Sequence, residues 1–283
     1  MARVAIVTDS AADLPPDVVA RHGIAVVPLF VRFGTDEFRA GVNLSTDEFW
    51  KRMTASDAPF PTTAAASPGA FADVYRRCFD EGAESVVCVS VGSKLSATIK
   101  SAMLGAQEID GREIHVVDST TASMGVGLLV VLAAEMAEAG ASGKEIAAAV
   151  RARADDIVLY VALDTLEYLR KGGRISAAQA AIGTVLSIKP IITVRDGAVE
   201  TVEKIRTRSK ARERLIELVL AHPSERTLVL HTGTSDVEGF CAQLAPRLPG
   251  SPAPDSLPRV LIGPSVGPHV GPACVGVVGL RAH

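Results

Sequence analysis

The chain alternates short runs of apolar, often β-branched residues with longer stretches that have the pattern of helices. A strand buried on both faces has an unbroken apolar sequence, so these runs predict a mainly parallel sheet covered by helices, in an α/β fold. The predicted strands are VAIV at 4–7, IAVVPLFV at 24–31, VVCVSV at 86–91, IHVVD at 114–118, IVLYVAL at 157–163, TLVLH at 227–231 and VLIG at 260–263.

Residues that begin and end helices lie between these strands. The segments 45–48 and 142–145 have the Ser-x-x-Glu spacing of a capping box, and Ser67 precedes Pro68 as an N-cap precedes a first-turn proline. Helices are expected to stop at Gly23, Gly82 and Gly140.

An antiparallel hairpin interrupts the pattern in the second half of the chain. The pair Asp196-Gly197 separates IITVR from AVETV and suits a type I′ turn. A length of 283 residues also suits two domains. We therefore predict an N-terminal α/β domain with a mainly parallel sheet over residues 1–153 and a C-terminal α/β domain with a mixed sheet over residues 154–283.

The composition indicates a folded protein with a small or protein partner. Hydrophobic residues make up 48% of the chain, aromatic residues 4% and charged residues 22%, with a net charge of −3. This composition excludes a disordered chain. The near balance of 29 basic and 32 acidic residues provides no bulk field for a polyanion, so nucleic-acid binding is not expected.

The cysteines and the ends of the chain indicate a cytoplasmic protein. The four cysteines form no CxxC pair and are expected to be reduced core residues. The first apolar run is too short for a signal peptide. The stretch 260–280 has no formal charge if His269 is neutral, but its prolines and glycines would break a helix, so we expect no transmembrane span.

Hydroxyl side chains follow almost every predicted strand. In an open α/β sheet, ligands bind beyond the carboxyl ends of the strands, where helix N-termini attract a carboxylate or a phosphate. Each hydroxyl could instead cap a helix, so both interpretations stand. The hydroxyl residues are Thr8 and Ser10, then Thr62, Thr63 and Ser67, then Ser93, Ser96 and Thr98, then Ser119, Thr120 and Thr121, and finally Ser265.

Motifs for stand-alone catalysis are incomplete. The segment 263–267 matches the G-x-S-x-G nucleophile elbow, but prolines follow where the elbow needs a helix, and no Asp or Glu follows Ser265. There is no phosphate-binding loop, and the six histidines form no metal-ligand pair. We expect the segment 263–271 to be irregular, with His269 either at a strand end facing a ligand or facing solvent.

Basic residues recur at every second position from Lys204. On a strand, this spacing would place Lys204, Arg206 and Arg208 on one face. The face is either a solvated surface or a positive patch for an acidic partner or a phosphate-bearing substrate.

Eight blocks, in order and over nearly the whole chain, resemble the DegV family of bacterial fatty-acid-binding proteins, the binding subunits of fatty acid kinase systems. The blocks are IVTDSAADLP at 6–15, PTTAAASPGAF at 61–71, VGSKLSATIKSA at 91–102, VVDSTTASMGVG at 116–127, LDTLEYLRKGGRIS at 163–176, SIKPIITVRDG at 187–197, KIRTRSKA at 204–211 and IGPSVGPHVGPA at 262–273.

The resemblance implies a long-chain fatty acid as ligand, in a buried apolar tunnel between two α/β domains, with no metal and no cofactor. Thr63 and Ser96 match the family's loop threonine and serine and become the first expected ligands of the carboxylate, with Ser93 second. His269 matches a histidine expected to join the network around the carboxylate. Arg206 matches an arginine expected near the tunnel mouth, where it would act with the kinase.

The sequence departs from the family pattern beside these residues. Residues 64–66 are all alanine, where the family has polar residues after its loop threonine. In the loop of the block at 91–102, Gly92 replaces a serine of the family pattern and Ala97 replaces a glycine. Ile99 and Lys100 replace a Tyr-Gln pair, so Lys100 would add a cation near the carboxylate. These changes are expected to bear on the carboxylate network and on acyl-chain preference.

The resemblance implies an acyl carrier and no catalytic residue. The chain would present the carboxylate to a separate ATP-dependent fatty acid kinase, which makes acyl phosphate for phospholipid synthesis, and transient membrane contact is compatible with that role. The alternatives are a fatty-acid sensor that hands nothing on, and a hydrolase or phosphotransferase that acts alone.

Overall fold

The computed structural model describes residues 3–175, 188–233 and 236–282. Its strands are β1 (Val4–Asp9), β2 (Ala25–Val27), β3 (Phe30–Phe33), β4 (Asp36–Arg39), β5 (Thr62–Ala64), β6 (Ser85–Ser90), β7 (Glu113–Asp118), β8 (Ile157–Ala162), β9 (Lys189–Arg195), β10 (Ala198–Ile205), β11 (Ser224–His231), β12 (Arg259–Leu261) and β13 (Val275–Arg281). Its helices are α1 (Pro16–His22), α2 (Thr46–Met53), α3 (Pro68–Asp80), α4 (Thr98–Gln107), α5 (Met124–Glu138), α6 (Gly143–Arg153), α7 (Glu167–Lys171), α8 (Arg208–Leu220), α9 (Val237–Leu244) and α10 (Gly267–Val270).

The first half of the chain forms a parallel sheet with the strand order β2-β1-β6-β7. All six residues of β6, SVVCVS, are buried, which is the unbroken apolar pattern of a strand covered on both faces. Helices α3 to α6 pack on this sheet. The predicted parallel sheet flanked by helices is confirmed.

The second half forms a mixed sheet with the order β10-β9-β8-β13-β11-β12. Among the strands that the structure describes there, β11 and β12 pair in parallel and the other neighbours pair antiparallel. The turn between β9 and β10 has positive φ at both Asp196 (49°) and Gly197 (75°), as a type I′ turn requires. The predicted hairpin and mixed sheet are therefore confirmed. The division into domains at residue 153 stays a prediction.

The run 24–31, predicted as one strand, is two strands in different sheets. Pro28 ends the first because it has no N–H to donate to a ladder. Strand β2 joins the parallel sheet, whereas β3 is the centre of an antiparallel sheet with the order β4-β3-β5, which the sequence did not predict. This small sheet matters for function because β5 carries Thr63.

The predicted helix starts are confirmed at the atomic level. Ser142 and Glu145 form a reciprocal capping box, and the hydroxyl of Ser67 accepts from the N–H of Ala70. Ser45 accepts from the N–H of Glu48. All four cysteines are buried and free, as expected.

Two expectations about the second half were wrong. The segment 263–271 is not irregular throughout, because α10 forms within it with Pro268 in the first turn, where the missing N–H costs nothing. The basic residues do not share one strand face, since β10 ends at Ile205 and Arg208 opens α8. Arg208 pairs with Asp164 at 2.7 Å.

Candidate carboxylate site in an apolar cavity

A cavity lies between one face of the mixed sheet and the loops at the edge of the parallel sheet. Its empty volume is about 870 Å³, including the space open to solvent at its mouth. The sheet contributes aliphatic side chains at alternate strand positions, namely Leu159, Val161, Ile192, Val194, Val199 and Leu230.

Polar side chains in the wall come from segments far apart in the chain. Thr63 lies on β5, Ser96 lies between β6 and α4, Arg174 follows α7, and His269 lies on α10. The structure thus brings together three of the residues expected around the carboxylate, Thr63, Ser96 and His269, and adds an arginine. The polar part of the lining is completed by Ser123 and Ser265.

Thr63 and His269 form a hydrogen bond of 3.0 Å between Oγ1 and Nε2. Burial, assisted by the positive charge of Arg174, lowers the pKa of the His269 imidazole to about 4, so the ring is neutral at pH 7. Its buried Nδ1 has no hydrogen-bond partner among the described residues. We therefore assign the ring proton to Nε2, which has an acceptor in Thr63 Oγ1, whereas a proton on Nδ1 would have none. In this tautomer Nε2–H donates to Thr63, and the threonine O–H is free to donate to a ligand.

Local packing explains why His269 is held at this place. A β-carbon at Gly267 would lie 2.4 Å from the ring of Phe49 and 3.1 Å from that of Trp50, so α10 approaches α2 closely because this residue is glycine. The indole of Trp50 also donates to the carbonyl of Ile262 at 2.8 Å. Helix α10 is thereby fixed on α2.

Arg174 is a charged lining residue that the sequence did not single out. Its Nε donates to the carbonyl of Leu95 at 3.0 Å, and its Nη1 donates to the carbonyl of Gly172 at 2.6 Å. The first expected carboxylate ligands were hydroxyls, but a half-buried guanidinium lines the same cavity. The only sequence signal was its position within the block LDTLEYLRKGGRIS.

Ser96 and Ser93 differ in environment although they belong to one loop. Ser96 Oγ lies 2.7 Å from Thr98 Oγ1 and accepts from the Thr98 N–H at 3.2 Å, so the start of α4 orients it at the cavity. The side chain of Ser93 is exposed, its backbone N–H donates to Asp118, and it is not among the lining residues. The structure therefore does not bring Ser93 to the cavity.

Arg206 and Lys100 also lie outside the cavity lining. Both are exposed, Arg206 directly after β10 and Lys100 on α4. Among the departures from the family pattern, Ala64 and Ala65 line the cavity and make its wall beside Thr63 apolar. A β-carbon at Gly92 would come within 3.1 Å of the backbone of residues 120–121, so this loop is closely packed there.

A partly buried aspartate, Asp13, connects the loop after β1 to the segment that carries His269. Asp13 accepts from the hydroxyl of Ser123 at 2.6 Å and from the N–H of Gly263 at 3.0 Å. Burial raises the pKa of its carboxyl to about 7, despite these two hydrogen bonds. The sequence did not single out this residue.

The geometry around Ser265 does not favour a hydrolase. Its Oγ lies 2.8 Å from Ser10 Oγ, and the nearby imidazole of His269 bonds Thr63 instead. The nucleophile of an elbow would need an adjacent base. Within residues 3–175, 188–233 and 236–282, no group of three or more potential ligand side chains could hold a metal, and no helix is long and apolar enough to cross a bilayer.

Comparison with known families decides the relationship. The sequence model of the family described as "Uncharacterised protein, DegV family" matches residues 3–281. The chain belongs to the DegV family. A DegV domain-containing protein of Streptomyces coelicolor is 37% identical over 279 residues, which cover 97% of each chain.

Solved structures of fatty-acid-binding proteins share the fold over 98% or more of their length. A fatty-acid-binding DegV family protein from Thermus thermophilus is 35% identical, with a TM-score of 0.88 over 99% of this chain and 100% of the other. DegV of Bacillus subtilis, a fatty acid binding protein, is 26% identical with a TM-score of 0.86 over 100% of both chains. A stearic acid-binding protein from Eubacterium ventriosum is 26% identical with a TM-score of 0.85, covering 99% of this chain and 98% of the other.

Proposed function

We propose that this DegV protein binds a long-chain fatty acid in the cavity described above. The observation that carries the proposal is the distribution of polarity in its wall, where aliphatic side chains of β8 to β11 meet a polar group formed by Thr63, Ser96, Arg174 and His269. A fatty acid has the same distribution, a long apolar chain with one anionic end. The fatty-acid-binding relatives of the same fold support this assignment.

The apolar wall accounts for affinity. Burial contributes about 0.8 kcal/mol for each CH₂ group, so a chain of about sixteen carbons offers on the order of 10 kcal/mol before the costs of ordering. The polar residues then fix which end of the ligand lies at Thr63. No cofactor is needed for this role.

The carboxylate would accept from hydroxyls and from a cation. Thr63 has a free O–H if His269 donates to its oxygen, and Ser96 presents a hydroxyl oriented by Thr98. The guanidinium of Arg174 has donors beyond the two that bond Leu95 and Gly172, and its charge stabilises an anion in a partly buried place.

Binding of the delipidated protein to palmitate and to methyl palmitate tests this assignment. The ester keeps the acyl chain but lacks the negative charge, so we expect it to bind at least about tenfold more weakly, the loss typical of a hydrogen bond to a charged group. Absence of palmitate binding would refute the function. Equal affinity for the ester would refute the site.

We further propose that the chain is a carrier which presents the bound carboxylate to a separate fatty acid kinase for acyl-phosphate formation, with Arg206 at the contact with the kinase. The exposed position of Arg206 leaves it accessible to a partner. Reconstitution with a fatty acid kinase should yield acyl phosphate, and Arg206→Ala should reduce the yield without weakening palmitate binding. Binding without acyl phosphate would instead favour a sensor.

A further inference from the structure

The glycine that ends α7 has an ordinary backbone conformation. Gly172 has φ −75° and ψ −7°, a right-handed conformation that any L-amino acid adopts. The next residue, Gly173, has φ +68° and open space around it, so it is glycine for a conformational reason. Gly172 needs a different explanation.

Space for the imidazole of His269 provides that explanation. A β-carbon at Gly172 would lie 2.2 Å from Nδ1 and 3.0 Å from Cε1 of the ring. The ring could not easily retreat, because its Nδ1 side is buried, its Nε2 bonds Thr63, and Gly267 holds its helix against Phe49. A side chain at position 172 would therefore displace His269.

The same residue also contacts the arginine of the site. The carbonyl of Gly172 accepts from Arg174 Nη1 at 2.6 Å, while its α-carbon faces His269. A second close approach runs in the other direction, from the end of α10 to a ring on α7. A β-carbon at Gly271 would lie 2.2 Å from the ring of Tyr168. Helices α7 and α10 thus dock through two glycines, each facing an aromatic ring.

We propose that Gly172 is a positioning residue of the carboxylate site. Because it lacks a side chain, it leaves room for the imidazole of His269 in the position where Nε2 bonds Thr63. Its α-carbon packs against the Nδ1 side of the ring. This inference rests on the proposed fatty-acid function for its effect on affinity, but its effect on the ring can be measured without any ligand.

Four variants test the proposal, namely Gly172→Ala, His269→Ala, the double variant, and Gly69→Ala as a matched control. Gly69 has no positive φ, and a β-carbon added there would meet no atom within 4 Å. Alanine at this position should therefore change neither palmitate affinity nor the titration of the His269 ring. Palmitate affinity is measured for all four, and the titration of the His269 ring by NMR for those that keep it.

We expect Gly172→Ala to weaken palmitate binding by about tenfold or more, the loss of one hydrogen bond to a charged ligand. In the His269→Ala background the same substitution should change affinity by less than about twofold, because the clash is gone. The ring displaced toward water should titrate nearer to its ordinary value of about 6.5. Equal losses in both backgrounds, or an unchanged titration, would overturn the proposal.

If Gly172→Ala does not fold, the stability of the double variant tests the proposal. If the clash with the ring is the cause, the double variant should melt at the temperature of His269→Ala alone. A double variant that is still unfolded would show that glycine is needed for another reason, and the proposal would be wrong. If wild-type protein binds no palmitate, the proposed function fails, while the titration of the ring still decides the role of Gly172.

Discussion

The Oγ1 atom of Thr63 and the Nε2 atom of His269 lie 3.0 Å apart although 206 residues separate them in the chain. Thr63 lies on β5, an edge strand of the small antiparallel sheet. His269 lies on α10, which connects β12 to β13 in the chain. Their hydrogen bond joins these parts of the molecule at the wall of the cavity. When Nε2 donates in this bond, the hydroxyl proton of Thr63 is free for a ligand.

Replacement of Thr63 by valine should weaken fatty-acid binding while the protein stays folded. Valine keeps the shape of threonine but removes the hydroxyl, so we expect about a tenfold loss of palmitate affinity by calorimetry. Thr62→Val is the control, because Thr62 is the exposed neighbour on the same strand and is not in the lining. Equal effects of the two substitutions would contradict the assignment of Thr63.

The serines of the second loop should differ in their effect on binding. Ser96→Ala removes a hydroxyl that lines the cavity and should weaken palmitate binding severalfold or more. Ser93→Ala removes an exposed hydroxyl outside the lining and should leave affinity unchanged. Displacement of a fluorescent fatty acid would measure both. A larger loss for Ser93→Ala would restore the family-based expectation for that residue.

Two partly buried groups, His269 and Asp13, should give the stability of the protein opposing dependences on pH. The His269 imidazole takes up a proton near pH 4 in the folded state and near 6.5 in the unfolded state, so it makes stability rise with pH across this window. The Asp13 carboxyl has its pKa raised from 3.8 to about 7, so it makes stability fall as pH rises from about 4 to 7. At full extent, the contribution amounts to roughly 3 kcal/mol for His269 and roughly 4 kcal/mol for Asp13.

Single substitutions should separate these contributions in urea unfolding at several pH values. His269→Ala should make the free energy of unfolding fall more steeply with rising pH between 4 and 6.5, whereas Asp13→Asn should make it rise. Asp9, whose pKa burial also raises, is common to both variants and does not affect their difference. The same slope in both variants would contradict the assigned states of the two groups.

Replacement of Arg174 by glutamine should change both the ligand and the histidine. Removal of the guanidinium takes away a cation from the carboxylate site, so palmitate should bind more weakly. The positive charge of Arg174 contributes to the low pKa of His269, so the imidazole pKa should rise. NMR titration of the ring would detect this change. An unchanged imidazole pKa would contradict the assigned effect of the Arg174 charge on His269.

Local features of the fold could be predicted from the sequence because they depend on neighbouring residues. The unbroken apolar run of β6, the Asp196-Gly197 turn and the capping box at Ser142 each result from short-range burial or backbone geometry. The break at residue 28 could have been found from its proline. The helix α10 could not, because its glycines are unfavourable locally and packing against Phe49 and Trp50 compensates.

The site was only partly predictable for the same physical reason. Thr63, Ser96 and His269 were found through motifs, but the convergence of their side chains is tertiary. An arginine such as Arg174 looks like any surface cation until Leu95 and Gly172 hold it at the cavity. Ser93 shows the converse, since a motif position does not determine the direction of a side chain.

Native mass spectrometry of the purified protein, followed by lipid extraction, tests the central claim most directly. We predict one long-chain fatty acid for each chain, either retained from the host or taken up after delipidation and incubation with palmitate. Thr63→Val should retain less under the same conditions. A protein that carries no fatty acid and takes none up would contradict the proposed function.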